Sequence, residues 1–257
     1  MKGKFNPMTE KYRKKHYPDG YFAAMRKTDK SAGIGLLIMG VPFALIGAAG
    51  VCGVIWFFLK GVMDGDAGVS DIPGMLFLAA IPGVFLLIGI FCIWGGRQRK
   101  DNGIDDNIQF TVKASGYPES VIRDFDRQVT YPDTIEFELK PNVGKGILTK
   151  DYIFVSFIVI KRTDVKAAYF IEMSDKIYVG NKLKTIYNLE LAIFSNHGTC
   201  ASISAKRESA EHLISLLRET NPDIDTAGGR VLSEKEYEDL KREAEEFRKQ
   251  SSGESLV

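Results

Sequence analysis

The chain has 257 residues, 34 Lys and Arg against 33 Asp and Glu, a formal net charge of +1 and 45% hydrophobic residues. Without an overall basic excess it lacks the electrostatic footprint of a nucleic-acid binder, so nucleic acid is not an expected partner. Three widely spaced cysteines, Cys52, Cys92 and Cys200, exclude a disulfide framework and fit a reducing compartment.

The near-zero net charge hides an asymmetry. Residues 1–30 form a basic arm, with Lys2, Lys4, Lys11, Arg13, Lys14, Lys15, Arg26, Lys27 and Lys30 opposed by Glu10, Asp19 and Asp29. Ser31 to Leu59 then contains no charged residue, and neither does Ile72 to Gly96. Each run exceeds the roughly 20 residues needed to cross a hydrocarbon core. The reading is a transmembrane hairpin over 31–96, with helices at about 33–59 and 74–95. The first run is too long for a cleaved signal and is expected to stay as an anchor.

Asp64, Asp66 and Asp71 lie between the runs, whereas Arg97, Arg99 and Lys100 follow the second. The positive-inside rule places both ends in the cytoplasm of a multi-pass protein of the cytoplasmic membrane, with only the Lys60–Pro73 loop outside. Pro42 and Pro82 sit mid-run as candidate kinks. The first run is rich in small residues. Ala49 and Gly53 have the small-xxx-small spacing, which serves either packing inside the hairpin or contact with a membrane partner, a second copy included. No ionisable residue lies inside either run, which argues against an ion pathway built from this chain alone.

Asp101-Asn102-Gly103 reads as a turn. Residues 101–131 read as a helical linker: Ile108 and Val112 give one apolar face, and Val121, Ile122, Phe125 and Val129 another after Pro118. From Thr134 the period changes to two. Strands are expected at Thr134–Leu139, Gly146–Thr149, Tyr152–Ile160, Val165–Met173, Ile177–Val179, Thr185–Phe194 and Thr199–Ser204, with Gly180-Asn181 among the turns. Lys206–Thr220 is an amphipathic helix with Ala210, Leu213, Ile214, Leu216 and Leu217 on one face. The acidic tail, 223–257, carries a short helix opened by a Ser233/Glu236 capping box, with a Tyr237, Leu240, Ala244, Phe247 stripe. That stripe either docks on its own domain or zips to a partner helix. Ser251-Ser252-Gly253 after it reads as flexible.

About seven strands closed by one helix, with Gly146 to Phe154, Thr163 to Tyr169 and Leu191 to Phe194 as the defining stretches, resemble the pleckstrin-homology (PH) architecture. Together with the hairpin they resemble uncharacterised bacterial membrane proteins that carry a cytosolic PH-like domain, here 134–222. The resemblance implies a membrane α-helical hairpin plus an α+β domain whose antiparallel sheet or barrel is plugged by a C-terminal helix. It leaves open whether the 104–131 helices pack on the sheet. It implies no catalytic residue, metal or cofactor.

The residues agree on chemistry: there is no Gly-rich phosphate loop, Ser elbow or HExxH. The expected function is a non-enzymatic, membrane-anchored interaction module with the lipid bilayer and an unidentified protein as partners. The alternative is an accessory subunit packing through its hairpin. In PH-like domains that bind anionic headgroups, cations come from the loop joining the first strands. Here that loop is Lys140 to Gly146, so Lys140, Lys145 and Lys150 are the candidate lipid or anion site, with Lys161, Arg162 and Lys166 as additions. Ordinary surface charge is the other account of them. A fragment starting near Asp101 is expected to fold without the membrane.

Overall fold

The computed structural model describes residues 4–65, 67–101, 103–143, 145–180 and 182–252. Lys2 of the basic arm, Asp66 of the loop, Asn102, Gly144 and Asn181 of the turns, and Gly253 of the tail lie outside them. The chain divides into two units, Met25–Ile104 and the pair of segments Met1–Ala24 and Asp105–Val257.

The Met25–Ile104 unit consists of two long helices. Helix α2 spans Tyr21–Asp64, and α3 spans Ile72–Asp101 after a short 3-10 turn at Val69–Asp71. Both are long and apolar enough to cross a membrane. Each continues through its proline without a break. The start of α2 precedes the apolar run because Ala, Met, Arg and Lys over 23–30 are good helix formers that extend it through charged sequence.

The two helices approach through glycines seven residues apart: Gly33, Gly40 and Gly47 on α2, Gly89 and Gly96 on α3. A Cβ on Gly47 would strike the backbone of Leu86, and one on Gly89 the backbone of Ala44. Phe43 and Phe85 stack beside this seam at 5.7 Å. Ala49 and Gly53, by contrast, are exposed, and nothing lies within 4 Å of a Cβ on Gly53. The small-xxx-small pair thus makes no close helix contact, Gly53 bordering the crevice where the helices part, and the seam uses the heptad-spaced glycines instead.

The other unit begins in the segment read as a basic arm. Strand β1 (Lys4–Pro7) pairs antiparallel with β2 (Ile135–Glu138), matching Phe5 to Phe137. Thr9 caps helix α1 (Glu10–His16) by accepting from the Tyr12 N–H. Phe22 is fully buried beside Phe125, and its N–H donates to Asp126 at 3.0 Å. Basic composition disguised a strand because within Lys4–Pro7 only Phe5 is a large apolar residue.

Helices α4 (Ile104–Ser115) and α5 (Glu119–Gln128) bury Ile108, Ile122 and Phe125. Phe125 stacks on Phe154 at 5.2 Å, and the Val159 N–H donates to Ser115 Oγ at 2.8 Å. They pack on the sheet, which answers the question the resemblance left open.

Strands β3 (Gly146–Leu148), β4 (Tyr152–Val155) and β5 (Ile158–Lys161) complete an antiparallel meander, β1-β2-β3-β4-β5. The expected Tyr152–Ile160 strand is two strands. Ser156 and Phe157 have φ of 51° and 64° and turn the chain between them. A second, mixed sheet has the order β8-β7-β6-β9. It contains β6 (Val165–Val179), β7 (Lys182–Ser195), β8 (Cys200–Ser204) and β9 (Val231–Ser233), the last parallel to β6. The strands expected at 165–173 and 177–179 are one continuous β6.

Both sheets share a core that includes Phe137, Ile153, Phe170, Leu191 and Ile193. Helix α6 (Arg207–Arg218) lays Ala210, Leu213, Ile214 and Leu217 into it. Helix α7 (Glu234–Ser252) docks on the opposite face of the second sheet, where Tyr237 meets Ala167, Ile171, Ala192 and Phe194. The capping box forms: the Glu236 N–H donates to Ser233 Oγ and the Ser233 N–H to Glu236 Oε2. The acidic tail therefore packs on its own domain through the Tyr237 stripe.

Candidate functional site

The expected anion site begins at the β2–β3 connection. Lys140 bridges to Val143, with Asn142 at φ 62°, a conformation Asn tolerates. The Lys140 Nζ donates to Asn188 Oδ1 at 2.9 Å. Lys145 lies at the same end of β3, where Gly146 passes beneath the Phe137 ring and a Cβ would collide with it. Lys150 is exposed in the β3–β4 turn, at the other end of the strand. At about 3.3 Å per residue, the stretch from 145 to 150 spans roughly 16 Å. Lys140 and Lys145 thus flank one connection, each engaged with a different partner, and Lys150 sits at the other end of β3.

Lys145 is also engaged. Its Nζ sits 2.8 Å from Glu136 Oε1, and the hydroxyls of Tyr12 and Tyr17 each donate to Glu136 Oε2 at 3.0 Å. Glu136 is only 6% exposed. Burial works to raise its pKa, but the hydrogen bonds from Lys145, Tyr12 and Tyr17 prevail and hold it below the ordinary glutamate value. The hydrogen bond to Glu136 in turn raises Lys145. Burial, then Glu136, pushes the Tyr17 phenol far above its usual range. This network ties α1 to the sheet, and the sequence could not display it because Tyr12 and Glu136 lie far apart along the chain.

Of the added cations, Arg162 is turned inward. It donates to the carbonyl oxygens of Lys150, at 3.1 Å, and Leu216, closing the end of α6. Desolvation lowers its pKa. Lys161 lies 5.7 Å from the Tyr117 ring centroid. Lys166 lines a shallow cleft of ≈ 290 Å³ between β6, β7 and α7, with Tyr169, Asn196, Glu243 and Phe247. Burial and a hydrogen bond to Asp225 raise the Tyr169 phenol to about 12.

His197 faces a carboxylate. Its Nε2 is 3.3 Å from Asp164 Oδ2, which also accepts from the Tyr117 hydroxyl at 2.7 Å. The nearby Ser195 hydroxyl accepts from the N–H groups of His197 and Thr199. These groups clamp the β7–β8 turn. Cys200 lies at the start of β8, and burial raises its thiol to about 11 despite the Tyr237 hydroxyl beside it. Among the described residues, no group of three or more His, Cys, Asp or Glu is placed to hold a metal.

The Met25–Ile104 unit has a larger crevice, ≈ 960 Å³, where the helices part near the loop. Phe57 and Leu78 line its apolar part, and Lys60, Asp64 and Asp71 also border it. Several charged groups of the β-rich unit, among them Lys145, Arg162 and Asp164, are thus engaged in holding its own turns and helices. No family model, curated protein or solved structure matches this chain.

Proposed function

We propose that the chain is a non-enzymatic interaction module of the cytoplasmic membrane. In this reading α2 and α3 form a transmembrane hairpin with both termini cytoplasmic, and the β-rich unit is a PH-like domain displayed at the inner surface. The observation that carries it is the outer surface of the two helices. Only 11% of the most apolar α2 window and 6% of the α3 window is buried. Phe57 is 80% exposed, and Ile38, Leu45, Phe77 and Phe91 are similarly bare. Burying one such side chain is worth about 1.5–3 kcal/mol, so a belt of them in water is strongly disfavoured, whereas lipid satisfies it. A helix of a soluble core would be mostly buried. Seven strands, β2 to β8, followed by α6 support the PH-like reading.

The test is accessibility in intact cells, in a chain whose native cysteines are replaced. Ser115 is fully buried and would be a silent reporter, so exposed positions are chosen. Ser70→Cys should react with an impermeant maleimide without lysis, and Lys150→Cys only after permeabilisation. The reverse pattern would overturn the orientation.

The exposed small residues Ala49 and Gly53 support a second reading, an accessory subunit that packs another membrane helix against α2. Ala49→Leu, at an exposed position outside the crevice, would disrupt such a complex and leave the glycine seam untouched.

A further inference from the structure

Strands β6 and β7 outrun their neighbours. Among the described residues, β9 pairs with β6 only over Phe170–Glu172, and β8 with β7 only over Glu190–Phe194. The two long strands continue together from Met173↔Asn188 to Val179↔Lys182. Six steps of about 3.3 Å make this a two-stranded arm roughly 20 Å long. Such a ribbon is marginal alone in water. It nevertheless carries Tyr178, 78% exposed, paired across the strands with Leu183, 53% exposed, and bare Tyr187 and Ile186 nearer its base. Its charges are Lys176, Lys182 and Lys184, all exposed, against Asp175, which accepts a hydrogen bond from Asn188.

We infer that the tip of this β6–β7 arm docks on an anionic lipid surface, Tyr178 and Leu183 entering the interface while Lys176, Lys182 and Lys184 meet the headgroups. The inference rests on the membrane-surface reading above. It moves the lipid contact away from Lys140, Lys145 and Lys150, two of which the fold has already engaged. Charge decides between occupants. Lysines along free strand edges oppose strand addition by a second copy, while each contributes to attraction by an anionic leaflet. Tyrosine is favoured where one end of the ring is apolar and the other wet.

The experiment uses the full chain in proteoliposomes of phosphatidylcholine, or of equal parts phosphatidylcholine and phosphatidylglycerol. In a background with Cys52, Cys92 and Cys200 replaced by Ala, Leu183→Cys carries an environment-sensitive fluorophore. Lys150→Cys is the control. Brominated lipid chains serve as quenchers. The expected result is a blue-shifted, quenched Leu183 label in anionic vesicles and a solvent-like Lys150 label. The combined change of Lys176, Lys182 and Lys184 to Gln should cut partition of the tip roughly a hundredfold, at about fivefold per lysine, and added salt should mimic it. Quenching of Trp56 and Trp94 reports the anchoring helices separately. Quenched tryptophans with a solvent-like Leu183 label would overturn the arm's role and leave the anchor standing. Unquenched tryptophans would sink the anchor and this inference with it. Tip-to-tip cross-linking without lipid quenching would reassign the arm to self-association and overturn the inference.

Discussion

Glu136 keeps its charge inside the fold because three donors converge on it, and that sets a pH dependence. Its folded pKa lies below the ordinary value of 4.5, so its contribution is present above that value. The contribution is lost as pH falls through the lowered value and the folded state gains no advantage from the carboxylate. Glu136→Gln should cost about 1–3 kcal/mol at neutral pH. Hydrogen exchange of the β2 amides would read it, and the gap from the parent protein should narrow below pH 4.5. An equal gap at both ends would show that the carboxylate's charge is not what matters. Little of this was legible in the sequence. Lys145 stood out as a cation in a turn, but its partner is set by the β2–β3 pairing, and Tyr12 and Tyr17 arrive from a segment whose lysines mask its aromatic spacing.

Elements with a strong period were legible, and those defined by backbone conformation were not. The two uncharged runs became α2 and α3, and the Leu213, Ile214, Leu217 stripe became the buried face of α6. Leu217 is fully buried in the core shared by both sheets. Leu217→Ala should therefore cost roughly 2–5 kcal/mol in urea unfolding followed by the circular dichroism of the sheets. A change below about 0.5 kcal/mol, the usual scatter of surface substitutions, would mean that α6 does not close the core. The split of 152–160 into β4 and β5 escaped notice because Ser156-Phe157 is a hairpin turn without the usual Asn or Gly. In the opposite sense, Ser174, Asp175 and Lys176 looked like a break but sit in the middle of β6, where cross-strand partners replace intrinsic propensity. The candidate lysines were visible for the same reason that they misled: charge is read from sequence, and commitment to a partner is not.

At the scale of the whole molecule, the β-rich unit is assembled from two separated stretches of chain. A fragment beginning near Asp101 lacks β1, α1 and Phe22. It leaves the edge of β2 open, removes Tyr12 and Tyr17 from Glu136 and empties the space beside Phe125. Phe22 alone is a loss of about 3–5 kcal/mol by analogy with Phe→Ala truncations. Such a fragment should unfold at clearly lower urea than one in which residues 4–24 are fused ahead of residue 105 through a flexible linker. Equal midpoints would show that the N-terminal elements are passengers.

The pairing of Phe5 with Phe137 also fixes an order of events during synthesis. Strand β1 leaves the ribosome before both long apolar helices, and its partner strand follows them. At a synthesis rate of about 5–20 residues per second, β1 waits on the order of ten seconds for β2. Throughout that wait it is an unpaired strand edge, and its Lys4 is the kind of charge that discourages a wrong match. Strand β1 is thus paired only after both long helices have been synthesised, so completion of this sheet comes late in synthesis.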